Sequence, residues 1–226
     1  MPASAKTLPA PARAYGGIAL EERVAARRAR FVEAGIELFG TQGFRGATVR
    51  GICAQAGLTD RYFYESFASL EALLAEVFRT LTGQFATRLT QVAARFEAAG
   101  GDAAAIAAQT TAGYELWFDF VRDPRFARIV LLEVLGVSPA MDVLYEELLC
   151  AMADLTISTL IAMQPVVRLG RARRELLGRA LVGSGQQVAK MWMTGGYKLP
   201  RRDVVHACVT VATGTLAALR AEAAAG

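Results

Sequence analysis

Apolar residues recur every three or four positions along most of this 226-residue chain, and glycine and proline separate the recurring stretches. That spacing is typical of α-helices with one buried face, whereas the alternation that indicates a β-strand is hard to find. The sequence therefore predicts an all-α fold, preceded by a Pro- and Ala-rich disordered arm over residues 1–20. We expect helices at about residues 22–40, 48–56, 59–65, 69–98, 102–122, 124–135, 140–163, 171–193 and 203–222.

The stretch from Thr48 to Phe67 predicts two short helices joined by a tight turn. Thr48 can cap the first helix, and Gly57 supplies the left-handed residue that ends it. Thr59 is a fresh N-cap for a second helix that buries Phe63 and Phe67, one turn apart on one face. This arrangement is a helix-turn-helix, which presents its second helix to the major groove of DNA.

The order of residues around this unit resembles the N-terminal domain of the tetracycline-repressor (TetR) family. The match runs without gaps over roughly residues 22–78, about a quarter of the chain. The matching residues are Ala34, Leu38, Phe39, Gly43, Phe44, Thr48, Val49, Arg50, Ile52, Ala56, Gly57, Leu58, Tyr64, Phe67, Glu71 and Leu73. The resemblance implies a DNA-binding domain over residues 21–68 and a helical ligand-binding and dimerisation domain over residues 69–226.

Eight polar or aromatic side chains of the first domain are candidates for contact with a DNA operator. They are Arg45, Thr48, Arg50, Thr59, Asp60, Arg61, Tyr62 and Tyr64. Arg61 points outward and has the donors for a bidentate contact with guanine. Tyr64 matches the family's tyrosine that hydrogen-bonds the DNA backbone, although it can also simply pack at the domain's edge. Glu65 places a carboxylate near the same surface, where it repels phosphate unless it accepts from a cytosine amino group.

Aromatic and Met side chains are concentrated in the second domain. Five of them, Tyr114, Trp117, Phe118, Met152 and Trp192, are candidates for lining a small-molecule pocket. Such residues at helical spacing also form ordinary cores, but between the helices of a bundle they can line an adaptable apolar cavity. In the resembled family this domain binds an inducer, so we expect an apolar or aromatic inducer here.

Small residues on the last two predicted helices permit close contact between helices. The candidates for a homodimer interface are Gly183, Val188, Ala207, Val211 and Gly214. A single chain could fold these residues inward, but a dimer suits a protein that reads paired half-sites on DNA. In the resembled family the two final long helices pair with those of a second subunit.

The net charge of +4 is unevenly distributed. Residues 1–75 carry nine Lys/Arg against seven Asp/Glu, so DNA affinity must depend on placed contacts more than on a broad positive field. Residues 165–202 carry nine Lys/Arg against one Asp/Glu. This basic block is either a solvated surface or a contact surface for an anionic ligand or for the acidic middle of a partner subunit.

Candidate catalytic and metal-ligating residues are absent from the sequence, and no cofactor is predicted. The lone histidine, His206, has no partner at ligand spacing, so a core or interface role is expected. Cys53, Cys150 and Cys208 lie far apart in apolar runs, which indicates reduced thiols in a cytoplasmic protein. No run reaches the length of about 20 apolar residues that spans a membrane.

These observations together predict a homodimeric, ligand-responsive transcriptional regulator. We expect it to act as a repressor that an apolar ligand releases from a palindromic operator. The rival is an all-α small-ligand-binding protein or enzyme that imitates the helix-turn-helix pattern without binding specific DNA.

Overall fold

The computed structural model describes residues 14–96, 103–162, 164 and 166–225, and these residues contain nine α-helices and no strand. The helices are α1 Ala14–Thr41, α2 Val49–Ala56, α3 Asp60–Ser66, α4 Leu70–Ala94, α5 Ala103–Val121, α6 Pro124–Arg128, α7 Pro139–Ala162, α8 Arg171–Thr194 and α9 Arg201–Ala225. A single 3-10 turn, Phe44–Gly46, lies between α1 and α2, and a π-helical turn, Ile129–Glu133, follows α6. The predicted all-α fold is confirmed.

The helices α1 to α3 and the first turns of α4 enclose a small aromatic core. Phe31, Phe39 and Phe63 are fully buried, and the ring centroids of Phe31 and Phe63 lie 5.5 Å apart in an edge-to-face arrangement. Phe67 is buried beside them, as its spacing from Phe63 predicted. Burying aromatic side chains of this size contributes the largest apolar areas available to a domain of this length.

The predicted N-cap at Thr48 is confirmed, and Ser69 caps α4 in the same way. The Thr48 hydroxyl accepts from the Gly51 amide at 3.1 Å, and the Ser69 hydroxyl accepts from the Ala72 amide at 3.1 Å. Thr59 stands at the N-cap position of α3, but its side chain makes no capping hydrogen bond. Gly57 ends α2 with φ of 62°, the left-handed conformation that its lack of a β-carbon makes inexpensive.

The structure differs from the predicted boundaries at both ends of α1. This helix begins at Ala14, within the range 1–20 for which we predicted a disordered arm, and residues 1–13 of that arm lie outside the described residues. It also continues through Gly40 to Thr41 and ends before Gly43, whose φ is 80°. The packing of α6 on α1 leaves no room for a side chain at Gly40, because a β-carbon there would lie only 2.7 Å from the Cα of Arg125.

The remaining helices form a bundle in which α7 packs along α8, and α5 packs against α9. Gly178 lets α8 approach α7 closely, because a β-carbon at this position would lie 2.5 Å from the carbonyl oxygen of Ala153. The sequence predicted one helix over 124–135, but the structure divides it into α6 and the π-helical turn. π-Helical turns inside helices are often found at functional sites.

Among the described helices, only α9 is long and apolar enough to cross a bilayer. Length and composition carry little weight here, because the core helix of a soluble protein meets the same criterion. Six of its side chains, Val204, Val205, Cys208, Ala212, Leu216 and Leu219, are buried within the bundle. Its role in this fold is therefore that of a core helix.

Candidate functional site

The helix α3 presents an exposed polar and aromatic surface, directly opposite its buried Phe63. All eight candidate DNA contacts are exposed, namely Arg45, Thr48, Arg50, Thr59, Asp60, Arg61, Tyr62 and Tyr64. Tyr64 has 61% of its surface exposed, although its ring also meets the edge of Phe63. The turn between α2 and α3 therefore leaves one continuous surface free for a large partner.

Local contacts hold several of these side chains in place. The Arg61 guanidinium donates from Nε to Oε1 of Glu65 at 2.9 Å, one turn along the same exposed surface. The Arg27 guanidinium of α1 lies 4.6 Å above the centroid of the Tyr62 ring. Asp60 faces α2, where its carboxylate contacts the Cys53 thiol, and burial together with this contact raises the pKa of Cys53 to about 11. Asp60 thus has a contact inside the domain that the sequence did not reveal.

A second feature is an elongated cavity of about 140 Å³ between α4, α5, α7 and α8. Three predicted lining residues, Tyr114, Trp117 and Met152, are on its wall. The indole of Trp117 donates to the carbonyl of Gly185 at 3.2 Å, which ties α5 to α8. Gly185 and Gly113 leave room along the cavity, because neither carries a side chain to fill it.

The other two predicted lining residues lie outside this cavity. Phe118 is fully buried and Trp192 is 4% exposed, and neither lines the cavity. The two rings pack edge to face with centroids 5.6 Å apart, and the Trp192 indole donates to the carbonyl of Leu199 at 2.8 Å. Phe118 follows Trp117 by one residue, which turns it about 100° around the helix, away from the cavity.

Residues 31–77 match the family model described as bacterial regulatory proteins, tetR family. The N-terminal domain is therefore similar to that of tetR-family regulatory proteins over these residues. No curated protein sequence matches the chain.

Solved structures that resemble the chain extend the likeness of fold to the C-terminal bundle. A transcriptional regulator from Pseudomonas aeruginosa PAO1 has a TM-score of 0.71 and 21% identity, covering 87% of this chain and 93% of that one. FadR from Bacillus subtilis, crystallised with stearoyl-CoA, has a TM-score of 0.70 and 18% identity, covering 82% of this chain and 97% of that one. The fatty acid degradation regulator FadR from Bacillus halodurans has a TM-score of 0.69 and 17% identity, covering 83% and 95%.

The N-terminal domain is joined to the cavity through α6. Phe126 and Val130 line the cavity from this segment. On its other side, Arg125 donates to the Glu37 carboxylate of α1 at 2.8 Å, and Arg128 donates to the carbonyl of Thr41 at 2.7 Å. One short segment therefore contacts both the cavity and the end of α1 that leads into the helix-turn-helix.

A half-buried carboxylate completes this junction. Glu133, at the end of the π-helical turn, accepts from the Phe44 amide at 2.7 Å and from the Arg128 Nε at 2.8 Å. Its side chain is 16% exposed. The sequence did not single out Glu133, because a contact between residues 89 positions apart leaves no local pattern.

Gln109 of α5 is a further residue that the sequence analysis missed. It lines the cavity and is 8% exposed, and its side chain makes no hydrogen bond with any described residue. The one available signal was the position of Gln109 directly after the Ala-rich stretch of residues 103–108, where a single amide side chain is unusual.

Four predicted dimer residues, Gly183, Ala207, Val211 and Gly214, are exposed on α8 and α9, and Val188 is half-buried. Exposed apolar side chains extend the same two helices, including Leu176 at 70% and Met191 at 46%. His206 is also exposed on α9, so a core role for this histidine is wrong.

The basic block is largely paired within the chain and contributes nothing to the cavity wall. Arg201 pairs with Asp119 at 2.8 Å, Arg174 with Asp154 at 3.2 Å, and Arg179 with Glu146 at 2.9 Å. Arg173 also pairs with a carboxylate of α9, and Arg202 with its neighbour in sequence. Within the described residues, no cluster of His, Cys, Asp and Glu side chains has the geometry to hold a metal ion.

Proposed function

We propose that this chain is a homodimeric, ligand-responsive regulator that places α3 of each subunit in the major groove of a palindromic operator. The exposed row formed by Arg61, Tyr62 and Tyr64 supports this proposal, because a helix of seven residues with one apolar face needs a partner for so much aromatic surface. Arg61 supplies base readout, and Tyr64 contacts the DNA backbone.

Glu65 shapes the readout by Arg61 in this proposal. Their ion pair is solvent-exposed and contributes little stability, since the Arg61 side chain is 85% exposed. The ion pair instead sets the direction of the Arg61 side chain, because the carboxylate holds the guanidinium along α3 before DNA binds. It also cancels one positive charge, which agrees with a domain that depends on placed contacts.

The ligand of the proposed regulator occupies the cavity between α4, α5, α7 and α8. A ligand that presses on Phe126 and Val130 displaces α6, and the Arg125–Glu37 and Glu133–Phe44 contacts carry that displacement to α1. Repression is relieved when the ligand prefers the conformer whose recognition helices no longer match the operator spacing. The stearoyl-CoA bound to FadR of Bacillus subtilis supports a ligand with an apolar part.

The second subunit of the proposed dimer packs on α8 and α9. The exposed Gly183, Val211 and Gly214 allow close approach of two helix pairs, and neither Gly183 nor Gly214 has any atom near the position of an added β-carbon. Dimers of this kind read two half-sites one helical turn, or a multiple of it, apart.

The α6 junction is the single observation that carries this proposal, because it connects the cavity to the DNA-reading domain. Selection of binding sites from a random DNA library with the purified protein tests it. We expect enrichment of a palindrome with two equal half-sites. Failure to enrich any sequence, by a folded protein that still binds small ligands, would establish the rival class of all-α ligand-binding protein instead.

A further inference from the structure

The far end of the cavity holds a buried amide with no partner among the described residues. Gln109 lies one turn before Gly113 on α5, so both face the same side of the helix. Its surroundings are apolar, because the neighbouring buried residues Ile106, Leu160 and Leu181 belong to one hydrophobic cluster. Its amide is a polar group of the cavity wall that is accessible to a molecule in the cavity and can pair with it.

No described residue on the cavity wall is charged. Burial also raises the pKa of the Tyr114 hydroxyl above its usual range, and the same desolvation would oppose an anionic ligand. The basic residues of α8 and α9 do not supply a counter-charge, since none of them lines the cavity. A carboxylate or phosphate inside this space would therefore lose its hydration without gaining an ion pair.

Three other polar side chains on the wall are already engaged within the chain. The Thr82 hydroxyl donates to the Phe78 carbonyl at 2.7 Å, and the Thr110 hydroxyl donates to the Ile106 carbonyl at 2.8 Å. Gln186 accepts from the Tyr145 hydroxyl at 3.4 Å. Gln109 is a donor and acceptor on this wall that is nine-tenths buried and has no hydrogen bond to a described residue.

We propose that Gln109 selects an uncharged ligand, one whose carbonyl, amide or hydroxyl group pairs with the Gln109 amide while its apolar body extends towards Trp117 and α6. This inference rests on the proposed function and names the chemical class of its ligand. From Gln109 to Trp117 the helix rises about 12 Å, which sets the distance between the polar group and the far aromatic wall. The open volume of about 140 Å³ resembles the roughly 150 Å³ of an engineered apolar cavity that binds benzene.

Three probes of nearly equal shape test this selection: benzamide, benzoate and isopropylbenzene, each a phenyl ring with a three-atom substituent. Their dissociation constants for the full-length protein at pH 7.5 are measured by ligand-observed NMR titration. We expect benzamide to bind at least tenfold more tightly than benzoate. Binding of benzoate as tightly as benzamide would overturn the proposal.

The variant Gln109→Leu removes the amide but keeps an apolar side chain of similar length. It should weaken benzamide binding about tenfold and leave isopropylbenzene binding equal or tighter, which also shows that the variant is folded. The matched control Thr82→Val removes a wall hydroxyl that is already bonded to its own helix, and it should leave the order of the three probes unchanged. Benzamide binding that is unaffected by Gln109→Leu would overturn the role of Gln109.

The outcomes separate this inference from the function on which it rests. If benzoate binds best, the cavity binds ligands but Gln109 does not select uncharged ones. If none of the three probes binds up to its solubility limit, both this inference and the assignment of the cavity as a ligand site fail. Selection of a palindromic DNA site stands or falls independently of these measurements.

Discussion

The carboxylate of Glu133 joins the C-terminal bundle to the turn that precedes the helix-turn-helix, and its removal is the sharpest test of that junction. Glu133→Ala deletes the acceptor for the Phe44 amide and the partner of Arg128. The substitution leaves both groups in place without their partner. We therefore expect the variant to be less stable and its two domains to be less tightly coupled.

The size of the effect follows from the two contacts. A hydrogen bond to a charged group contributes about 1.5–3 kcal/mol, and the Phe44 amide is such a donor. The Arg128 pair adds less, because the Arg128 side chain is 37% exposed and solvent screening limits such pairs to about 1 kcal/mol at most. We expect Glu133→Ala to lower the free energy of unfolding by about 2–3 kcal/mol. For a chain of this length that corresponds to roughly 5–10 °C in melting temperature.

Chemical unfolding at one fixed protein concentration measures this loss, because a dimer's apparent stability depends on concentration. Glu147→Ala is the matched control, since Glu147 is an exposed carboxylate on α7 and its removal should change stability by less than about 0.5 kcal/mol. Glu133→Gln should give an intermediate loss, because the amide oxygen can still accept one of the two bonds. Amide hydrogen exchange at Phe44 should accelerate in Glu133→Ala. Equal stability of Glu133→Ala and Glu147→Ala would refute the reasoning.

Four further changes probe the remaining surfaces. Arg61→Ala should relax base preference at one symmetric operator position, by about 1–3 kcal/mol, with melting temperature nearly unchanged; unaltered preference at every position in a binding-site selection would contradict base readout. Gly183→Glu should give a folded monomer in sedimentation, because no atom lies near an added β-carbon at this position. A wild-type protein that sediments as a monomer at micromolar concentration would contradict the predicted dimer. Trp117→Phe should abolish the change in tryptophan fluorescence on addition of isopropylbenzene, because the second tryptophan lies outside the cavity. A full fluorescence change in the variant would show that the probe does not bind beside Trp117. At pH 8, iodoacetamide should label the half-buried Cys150 before Cys208, because burial raises the pKa of Cys208 to about 11. Mass spectrometry of partly labelled protein measures the order, and labelling of Cys208 first would contradict this prediction.

Local signals predicted the helix-turn-helix nearly residue by residue. The Thr48 cap, the left-handed Gly57 and the buried pair Phe63 and Phe67 each depend on neighbours within a few positions, so the sequence alone displays them. Helix α1 is the exception at its end, because the predicted helix stops at residue 40, whereas Gly40 lies inside the helix and accommodates Arg125 from a segment 85 positions away.

The cavity was predictable only in part. Trp117 and Trp192 both lie on apolar helix faces, and periodicity cannot say that one lines a cavity while the other packs against Phe118. What opens the space is the absence of side chains at Gly113 and Gly185, together with the crossing of four helices. Those are tertiary facts, as is the isolation of Gln109, because an unmet hydrogen bond is visible only when all neighbours are known.

Gly40 makes the position of α6 on α1 sensitive to a single methyl group. A β-carbon there would lie 2.7 Å from the Arg125 backbone, whereas ordinary contact begins at about 3.4 Å, so α6 would have to move outward by most of an ångström. In the proposed mechanism that displacement is of the kind a ligand would produce from the cavity side. An alanine at residue 40 would then push α6 away from α1 without any ligand. The basal transcription from the regulated promoter could thus be raised by this one residue, without altering either the ligand or the operator.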